Sequence, residues 1–242
     1  GYTVRTRYKD ADIIYVSPSH MNRQGDVMPI QRRLELCAHS ADTGAVVIED
    51  DFENDFLYSS TPTPSLYALG SGNVVYMGAF SALLLPGIRI SFMVLSPALA
   101  AAYHQMKDTF AQTASKTEQI ALCAYLRDGN MKSRTKKIRR LYTGKAKTLC
   151  ALLAKALPDH PVRVGENGLQ VQIETPMLPD SAPFEQAGLA LYIVKEKSGK
   201  NTVVVSPSAV PADRLEEAAL AVAAALYKAE EAAKAKRSKD VY

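Results

Sequence analysis

The 242-residue sequence has few cysteines and no long apolar run. Its three cysteines, Cys37, Cys123 and Cys150, lie far apart and outside any Cys-x-x-Cys spacing. Each stands between apolar neighbours in a helical-looking context, so we expect buried thiols in a reducing compartment. No apolar run reaches the roughly 18 residues of a membrane span, and no signal peptide opens the chain. We therefore expect a cytoplasmic protein without a membrane partner.

Several catalytic patterns are also missing. No group of His, Cys, Asp and Glu has metal-ligand spacing, and neither a Ser-His-Asp arrangement nor a Gly-x-Ser-x-Gly elbow is present. Of the four histidines, His20 lacks a neighbouring nucleophile and reads as a core or loop residue. The other three, His39, His104 and His160, are scattered and read as surface positions. The sequence therefore predicts no metal site.

The charge is mildly basic, at +4 with an isoelectric point near 8.8, which is too weak to argue for nucleic acid alone. Part of the excess lies in one run, composed of Lys132, Arg134, Lys136, Lys137, Arg139, Arg140, Lys145 and Lys147. Because Tyr142 is the one aromatic residue among them, we favour a solvated helix face over a DNA-binding patch. The basic residues of 234–239 read as a solubilising end.

The first half of the chain alternates short apolar segments with polar loops. Strands are predicted over 13–16, 45–48, 73–77 and 90–95, and a helix over 32–41. This alternation is typical of the α/β class, in which helices cover a mostly parallel sheet. Ligands of such sheets lie off the carboxyl ends of the strands, where Ser19-His20, Asp50-Asp51 and residues 78–81 fall.

The second half of the chain has a different pattern, with longer helices followed by short strands. Helices are predicted over 97–106, 115–127 and 131–157, the last one ended by Pro158. Strands at 162–164, 169–173 and 202–205 and helices at 183–190 and 213–229 follow. We expect this part to form a smaller α+β domain, with the chain divided into residues 1–130 and 131–242.

Several segments together match the pattern of one family. They are residues 16–20, 28–34, 47–58, 64–66, 76–81, 85–89, 117–122 and 138–142. From about Asp12 to about Leu226, the chain resembles the aminotransferase-like domain of MocR-type regulators in the GntR family. More broadly it resembles fold-type I aminotransferases, which use pyridoxal phosphate (PLP). The resemblance implies a partial large cofactor domain over 1–130, then a linking helix and a small domain over 131–242.

The resemblance gives special weight to one position, Ala82. Family members have a Ser-Lys pair here, followed seven residues after the lysine by an arginine; the lysine amine forms the Schiff base with PLP. The serine and the arginine, which take the phosphate, are present as Ser81 and Arg89. At Ala82 the side chain is a methyl group, so we expect no ordinary transamination and at most non-covalent PLP.

Other family positions are partly kept. Asp50 matches the carboxylate that pairs with the pyridinium nitrogen, although it could also be a plain strand end. Phe52 stands where a tyrosine usually donates to the ring hydroxyl, and Ala79 replaces a hydroxyl residue. Between two apolar strands we expect the guanidinium of Arg89 to be buried, either in a salt bridge or as an anion site.

Two further segments depart from the family pattern. Residues 202–206 lack the arginine that usually holds the substrate carboxylate, and residues 20–25 lack a proline just before the small residue and glycine. Because the departures cluster, we favour natural decay of the cofactor site over an engineered change.

The resemblance leaves three functions open. The first is a catalytically inactive effector-sensing or dimerisation domain of a MocR-type regulator. The second is a PLP-dependent aminotransferase, or a fragment of one, with its lysine changed to alanine. The third is a scaffold without a ligand. For the first we expect a homodimer, a small amine or amino-acid effector, and DNA contact only through a winged-helix segment upstream of Gly1.

Overall fold

A computed structural model describes residues 10–51, 63–70, 72–81, 83–84, 87–195 and 201–239, with the backbone alone for 236–239. The chain forms two compact units. The first contains residues 1–21 and 27–138, and the second contains residues 22–26 and 139–242.

The first unit is built on a four-stranded sheet. Its strands, in spatial order, are β1 (Ile13–Val16), β2 (Val46–Asp50), β3 (Val74–Ala79) and β4 (Ser91–Val94). β1, β2 and β3 run parallel, and β4 pairs with β3 in the antiparallel direction. The predicted α/β class with a mostly parallel sheet is therefore confirmed.

Four helices accompany this sheet. They are α1 (Ile30–Thr43), α2 (Leu66–Leu69), α3 (Pro97–Met106) and α4 (Lys116–Arg127). Ser96 and Ser115 cap α3 and α4, because each hydroxyl accepts the N–H of the residue three positions later. α1 ends at Gly44, whose positive φ of 77° suits a residue without a side chain.

Within the residues that the structure describes, the main buried apolar cluster of the first unit is small. Its buried members are Ile14, Leu36, Cys37, Ala45, Val47, Leu66 and Val74. They lie between one face of the sheet and helices α1 and α2. On the strands themselves, Ile13 and Met93 stay exposed at 63% and 57%, and α3 buries none of its side chains.

The second unit contains an antiparallel sheet. Its strands are β5 (Val162–Val164), β6 (Val171–Thr175), β7 (Tyr192–Lys195) and β8 (Asn201–Val205), in the spatial order β5-β6-β8-β7. β7 was not predicted. Every residue of β8, an inner strand of this sheet, is buried.

Three helices complete the fold. α5 (Asn130–Ala156) begins in the first unit and ends in the second, whereas α6 (Ala182–Gln186) and α7 (Leu215–Lys239) belong to the second. Leu149, Leu153 and Leu226 from α5 and α7 pack with the inward residues of β6 and β8. This arrangement confirms the smaller α+β part. No described helix is both long and apolar enough to cross a membrane.

Some single-residue expectations hold and others are wrong. Cys37 is buried as expected and Cys150 is half-buried, but Cys123 is exposed on α4. The prediction that His160 lies at the surface is wrong: the residue is buried, with Nε2 3.0 Å from a carboxylate oxygen of Glu230. In both cases the sequence showed the local helix or loop but not which side the tertiary packing covers.

Candidate functional site

The carboxyl ends of β1, β2 and β3 lie side by side in the first unit. The parallel register sets Val16 opposite Glu49 and Asp50 opposite Met77. The segments that follow these strands therefore leave the sheet at one edge, where open parallel sheets bind their ligands. Residues 17–20, Asp50-Asp51 and Ser81 all belong to these segments.

Three successive carboxylates end β2 and point to alternate sides, as strand geometry requires. Glu49 and Asp51 are buried, at 0% and 6% exposure, whereas Asp50 is half-buried. The carboxylates of Glu49 and Asp51 therefore lie on the side of the strand that faces the interior of the unit. The carboxylate of Asp50 lies on the opposite side and is partly accessible to solvent.

Asp50 is engaged by a phenol from the neighbouring strand. The hydroxyl of Tyr15 on β1 donates to Oδ2 of Asp50. This hydrogen bond raises the pKa of Tyr15, with burial and the carboxylate charge acting in the same direction. Since Tyr15 is 60% exposed, the edge around Asp50 is open to solvent. The second oxygen, Oδ1, is free of this contact and is suited to accept from a protonated ring nitrogen.

Asp51 connects the loop after β1 to strand β3 through hydrogen bonds. The buried hydroxyl of Ser19 donates to Oδ1, and the phenol of Tyr76 on β3 donates to Oδ2 over 3.0 Å. Both oxygens of Asp51 are thereby occupied, and the loop after β1 is fixed to β2 and β3. The sequence pattern placed Asp51 and Ser19 at strand ends, but it assigned no role in the site to Tyr76.

Glu49 is the most deeply buried carboxylate of the site. Oε1 accepts the N–H of Leu66 over 2.9 Å and Oε2 that of Tyr67 over 3.0 Å. Nη1 of Arg33 lies 3.8 Å from Oε1. Burial raises the pKa of Glu49, while the two N–H donors and the Arg33 charge oppose that rise.

Arg33 completes this buried charge cluster from α1. Besides facing Glu49, its guanidinium donates to the carbonyls of Met28 (3.1 Å), Pro64 (3.0 Å) and Pro18 (3.4 Å). Burial lowers the pKa of Arg33, and the carboxylate of Glu49 opposes that effect. Sequence reasoning missed this residue, although a signal existed: Arg33 occupies the buried face of α1 with Leu36 and Ser40.

The turn after β3 presents Ser81. Its backbone is fixed by the carbonyl of Phe80, which accepts the N–H groups of Leu83 (3.2 Å) and Leu84 (3.0 Å). Nε of Arg134 also donates to the carbonyl of Leu83 over 3.4 Å. Ser81 is half-buried in this turn, so its hydroxyl is available at the sheet edge.

Gly78, one pair before the end of β3, has a packing role. It lies opposite Phe92 on β4, and a Cβ at this position would be only 2.5 Å from Cζ of that ring. The ring of Phe92 also lies 5.3 Å from that of Phe80. A side chain at Gly78 would displace the aromatic pair next to the turn that carries Ser81.

The predicted site residues are not all placed alike. Asp50 is the last residue of β2 and Ser81 follows the neighbouring strand β3, whereas Phe52 and Ala82 lie outside the described residues. Arg89, just before β4, is exposed. The expectation of a buried guanidinium is therefore wrong: the residue precedes an exposed edge strand and not an inner one.

The residue chemistry fits PLP in part. Asp50 can pair with a ring nitrogen, the Ser81 hydroxyl can donate to a phosphate, and the exposed Arg89 is accessible to an anion. The methyl group of Ala82 cannot form a Schiff base. The set therefore suits non-covalent holding of the cofactor and does not suit the covalent link.

Comparison with known proteins relates the chain to aminotransferases and to transcription regulators. Residues 6–207 match the family described as aminotransferase class I and II. The uncharacterized HTH-type transcriptional regulator YdeL of Bacillus subtilis is 32% identical over 205 residues, 84% of this chain and 42% of that protein. The probable rhizopine catabolism regulatory protein MocR of Rhizobium meliloti is 30% identical over 162 residues, 66% of this chain and 33% of that protein.

A solved structure supports the fold. LysN, an alpha-aminoadipate aminotransferase from Thermus thermophilus, superposes with a TM-score of 0.72 at 25% identity. The match covers 90% of this chain and 59% of LysN, which was solved with N-(5'-phosphopyridoxyl)-L-leucine. The family and that ligand imply PLP as the cofactor by resemblance. The chain spans about two-fifths or less of both regulators.

Proposed function

Because the chain belongs to the family of class I and II aminotransferases, we propose that it serves as the aminotransferase-like domain of a MocR-type transcription regulator of the GntR family. In this role it senses a small effector and supports dimerisation, and it does not catalyse transamination. The observation that carries the proposal is Ala82, which removes the amine that the family's covalent chemistry requires.

Two further features support a site without turnover. Phe52 has no hydroxyl to donate to the cofactor ring. The strand that should carry the substrate-binding arginine, β8, has none, and its five residues are all buried. A site that lacks these groups could still recognise a ring nitrogen through Asp50 and a phosphate through Ser81 and Arg89.

The proposed regulatory role is supported by two relatives, YdeL and MocR, which are both named as regulators. Both regulators described above are more than twice as long as the part that matches this chain. We propose that DNA contact comes from a winged-helix segment upstream of Gly1, that two copies pair, and that the protein acts in the cytoplasm. A small amine or amino acid is the proposed effector class.

A second candidate is a PLP-dependent aminotransferase with its lysine replaced by alanine. The likeness to LysN and the presence of Asp50 and Ser81 at adjacent strand ends favour it. In that case a cofactor–amino acid adduct would persist in the site, because no lysine amine is present to release it.

Cofactor binding to the native chain tests the proposal. We expect PLP to bind and to be removed completely by dialysis, and borohydride treatment to leave no modified residue in peptides from the site. Arg89→Ala should weaken PLP binding about tenfold, since a charge-assisted contact to phosphate is lost, whereas Arg140→Ala should not. A chain that stays yellow, with PLP attached through another side chain of the site, would contradict the proposal.

A further inference from the structure

The second unit contains a pocket with no role in the proposed cofactor site. Its volume is about 250 Å³. Five apolar side chains form its walls, those of Phe184, Leu189, Leu191, Ile193 and Val194, and polar groups come from Arg23, Ser181, Glu185 and Tyr192. Neither Asp50 nor Ser81 lines it.

Arg23 belongs to a loop, residues 22–26, that is closed by its own hydrogen bonds. The side-chain oxygen of Asn22 accepts the N–H groups of Gln24 (3.0 Å) and Asp26 (3.2 Å), which closes the loop on itself. Two carbonyls then tie the loop to the rest of the unit: that of Gly25 accepts from the N–H of Asn167 over 3.1 Å, and that of Gln24 accepts from Nε2 of Gln172 over 2.7 Å.

Gly25 allows this loop to pack closely against the rest of the unit. Its φ is 80°, and a Cβ there would be 2.6 Å from Oδ1 of Asn167. The backbone must therefore pass close to Asn167 in a conformation that suits glycine. Arg23, two residues earlier, is therefore presented from a hydrogen-bonded loop.

The guanidinium of Arg23 is oriented for recognition. Its Cζ lies 4.4 Å from the centroid of the Tyr192 ring. Stacking of this kind occupies the face of the guanidinium and leaves its in-plane N–H groups free to bind a carboxylate. Glu185 brings the opposite charge to the same pocket and forms no ion pair with Arg23 within the described residues.

We propose that this pocket binds a free α-amino acid with an apolar side chain. Arg23 takes the carboxylate, Glu185 takes the ammonium group, and the side chain lies against Phe184 and Ile193. The volume equals that of about eight waters, which suits a branched aliphatic amino acid and is small for a drug-sized ligand. The inference rests on the proposed function, for which it supplies the effector.

Calorimetric titration of the native 242-residue chain with L-isoleucine tests the pocket. We expect binding that Arg23→Gln and Glu185→Gln each weaken about tenfold or more, because each variant removes a charged partner. Lys228→Gln and Glu231→Gln, exposed on α7, change the charge equally and should have no effect. Unchanged affinity in Arg23→Gln would overturn the proposal.

Two analogues of isoleucine assign the partners separately. Arg23→Gln should weaken 3-methylpentanoate, which lacks the ammonium group, and leave 2-methylbutylamine, which lacks the carboxylate, unaffected. Glu185→Gln should do the reverse. Absence of isoleucine binding at millimolar concentration would overturn the pocket assignment and leave the PLP result for the native chain unaltered, so this failure is distinguishable from failure of the proposed function.

Discussion

The two units of the chain are stabilised in different ways. The second unit encloses an apolar core, in which leucine, valine and alanine side chains of α5 and α7 pack on β6 and β8. Among its described residues, the first unit has a smaller apolar cluster and, at the carboxyl ends of its strands, a buried cluster of Arg33, Glu49 and Asp51.

The two kinds of core have different structural consequences. Apolar packing specifies shape without polar constraints, and it suits the second unit, whose strands are antiparallel and whose sheet is covered by long helices. Buried charges cost desolvation unless they are paired and hydrogen-bonded, but they fix loops to defined atoms. In the first unit those loops carry the residues around Asp50, so the cluster positions the proposed cofactor edge.

Removal of the buried Arg33 guanidinium should have the largest effect on the free energy of unfolding. Arg33→Ala leaves Glu49 buried without its cation and removes three donors to loop carbonyls, so we expect a loss of about 3–5 kcal/mol of unfolding free energy. Hydrogen exchange should show the loss in residues 10–51. The neighbouring Arg32→Ala, which removes a partly exposed pair with Glu35, should cost at most about 1 kcal/mol. Equal losses in both variants would remove the distinction between the units.

A cavity in the core of the second unit should lower the free energy of unfolding somewhat less than Arg33→Ala does. Leu226→Ala truncates a fully buried side chain of α7, so we expect about 3 kcal/mol, within the usual range of about 2–5 kcal/mol. Leu220→Ala, in the same helix but 60% exposed, should change stability by no more than about 0.5 kcal/mol. Urea unfolding followed by helix circular dichroism measures both variants. A loss in Leu226→Ala as small as that in Leu220→Ala would contradict the apolar-core account.

The smallest expected effect is a pH dependence of the stability of the first unit. Burial raises the pKa of Glu49 above its usual 4.5, so between 4.5 and the raised pKa the folded state holds more protons than the unfolded state. The contribution of Glu49 to stability is therefore present below 4.5 and is lost as the pH rises through that window.

Glu49→Gln should remove this slope, whereas Glu35→Gln on the surface of α1 should leave it in place. Hydrogen exchange of the first unit, measured at several pH values upward from 4.5, follows the slope in each variant. An unchanged slope in Glu49→Gln would show that another group is responsible.

Much of the fold could be predicted from local patterns. The apolar runs that became β1, β2 and β3 gave the strand positions to within a residue or two, and the helices predicted over 97–106 and 115–127 agree with α3 and α4 to within one residue. β7 escaped prediction because its residues lack strict alternation. Its pairing with β8 is a tertiary contact that no local period encodes.

The site was less predictable than the fold. Asp50 and Ser81 were found because they belong to a family pattern, whereas Tyr76 and Arg33 act through contacts between residues distant in sequence. Arg89 was misjudged for the same reason: its apolar neighbours indicate a strand, but not that β4 lies at the sheet edge with its side chains exposed.

Restoring the missing amine tests the central claim most directly. Ala82→Lys, loaded with PLP and supplied with an amino acid and a 2-oxo acid, should show no more transaminase turnover than Leu84→Lys, which carries the new amine two positions away. The account predicts this result because Phe52 and β8 also lack groups that turnover requires. Transamination by Ala82→Lys well above that of Leu84→Lys would contradict it.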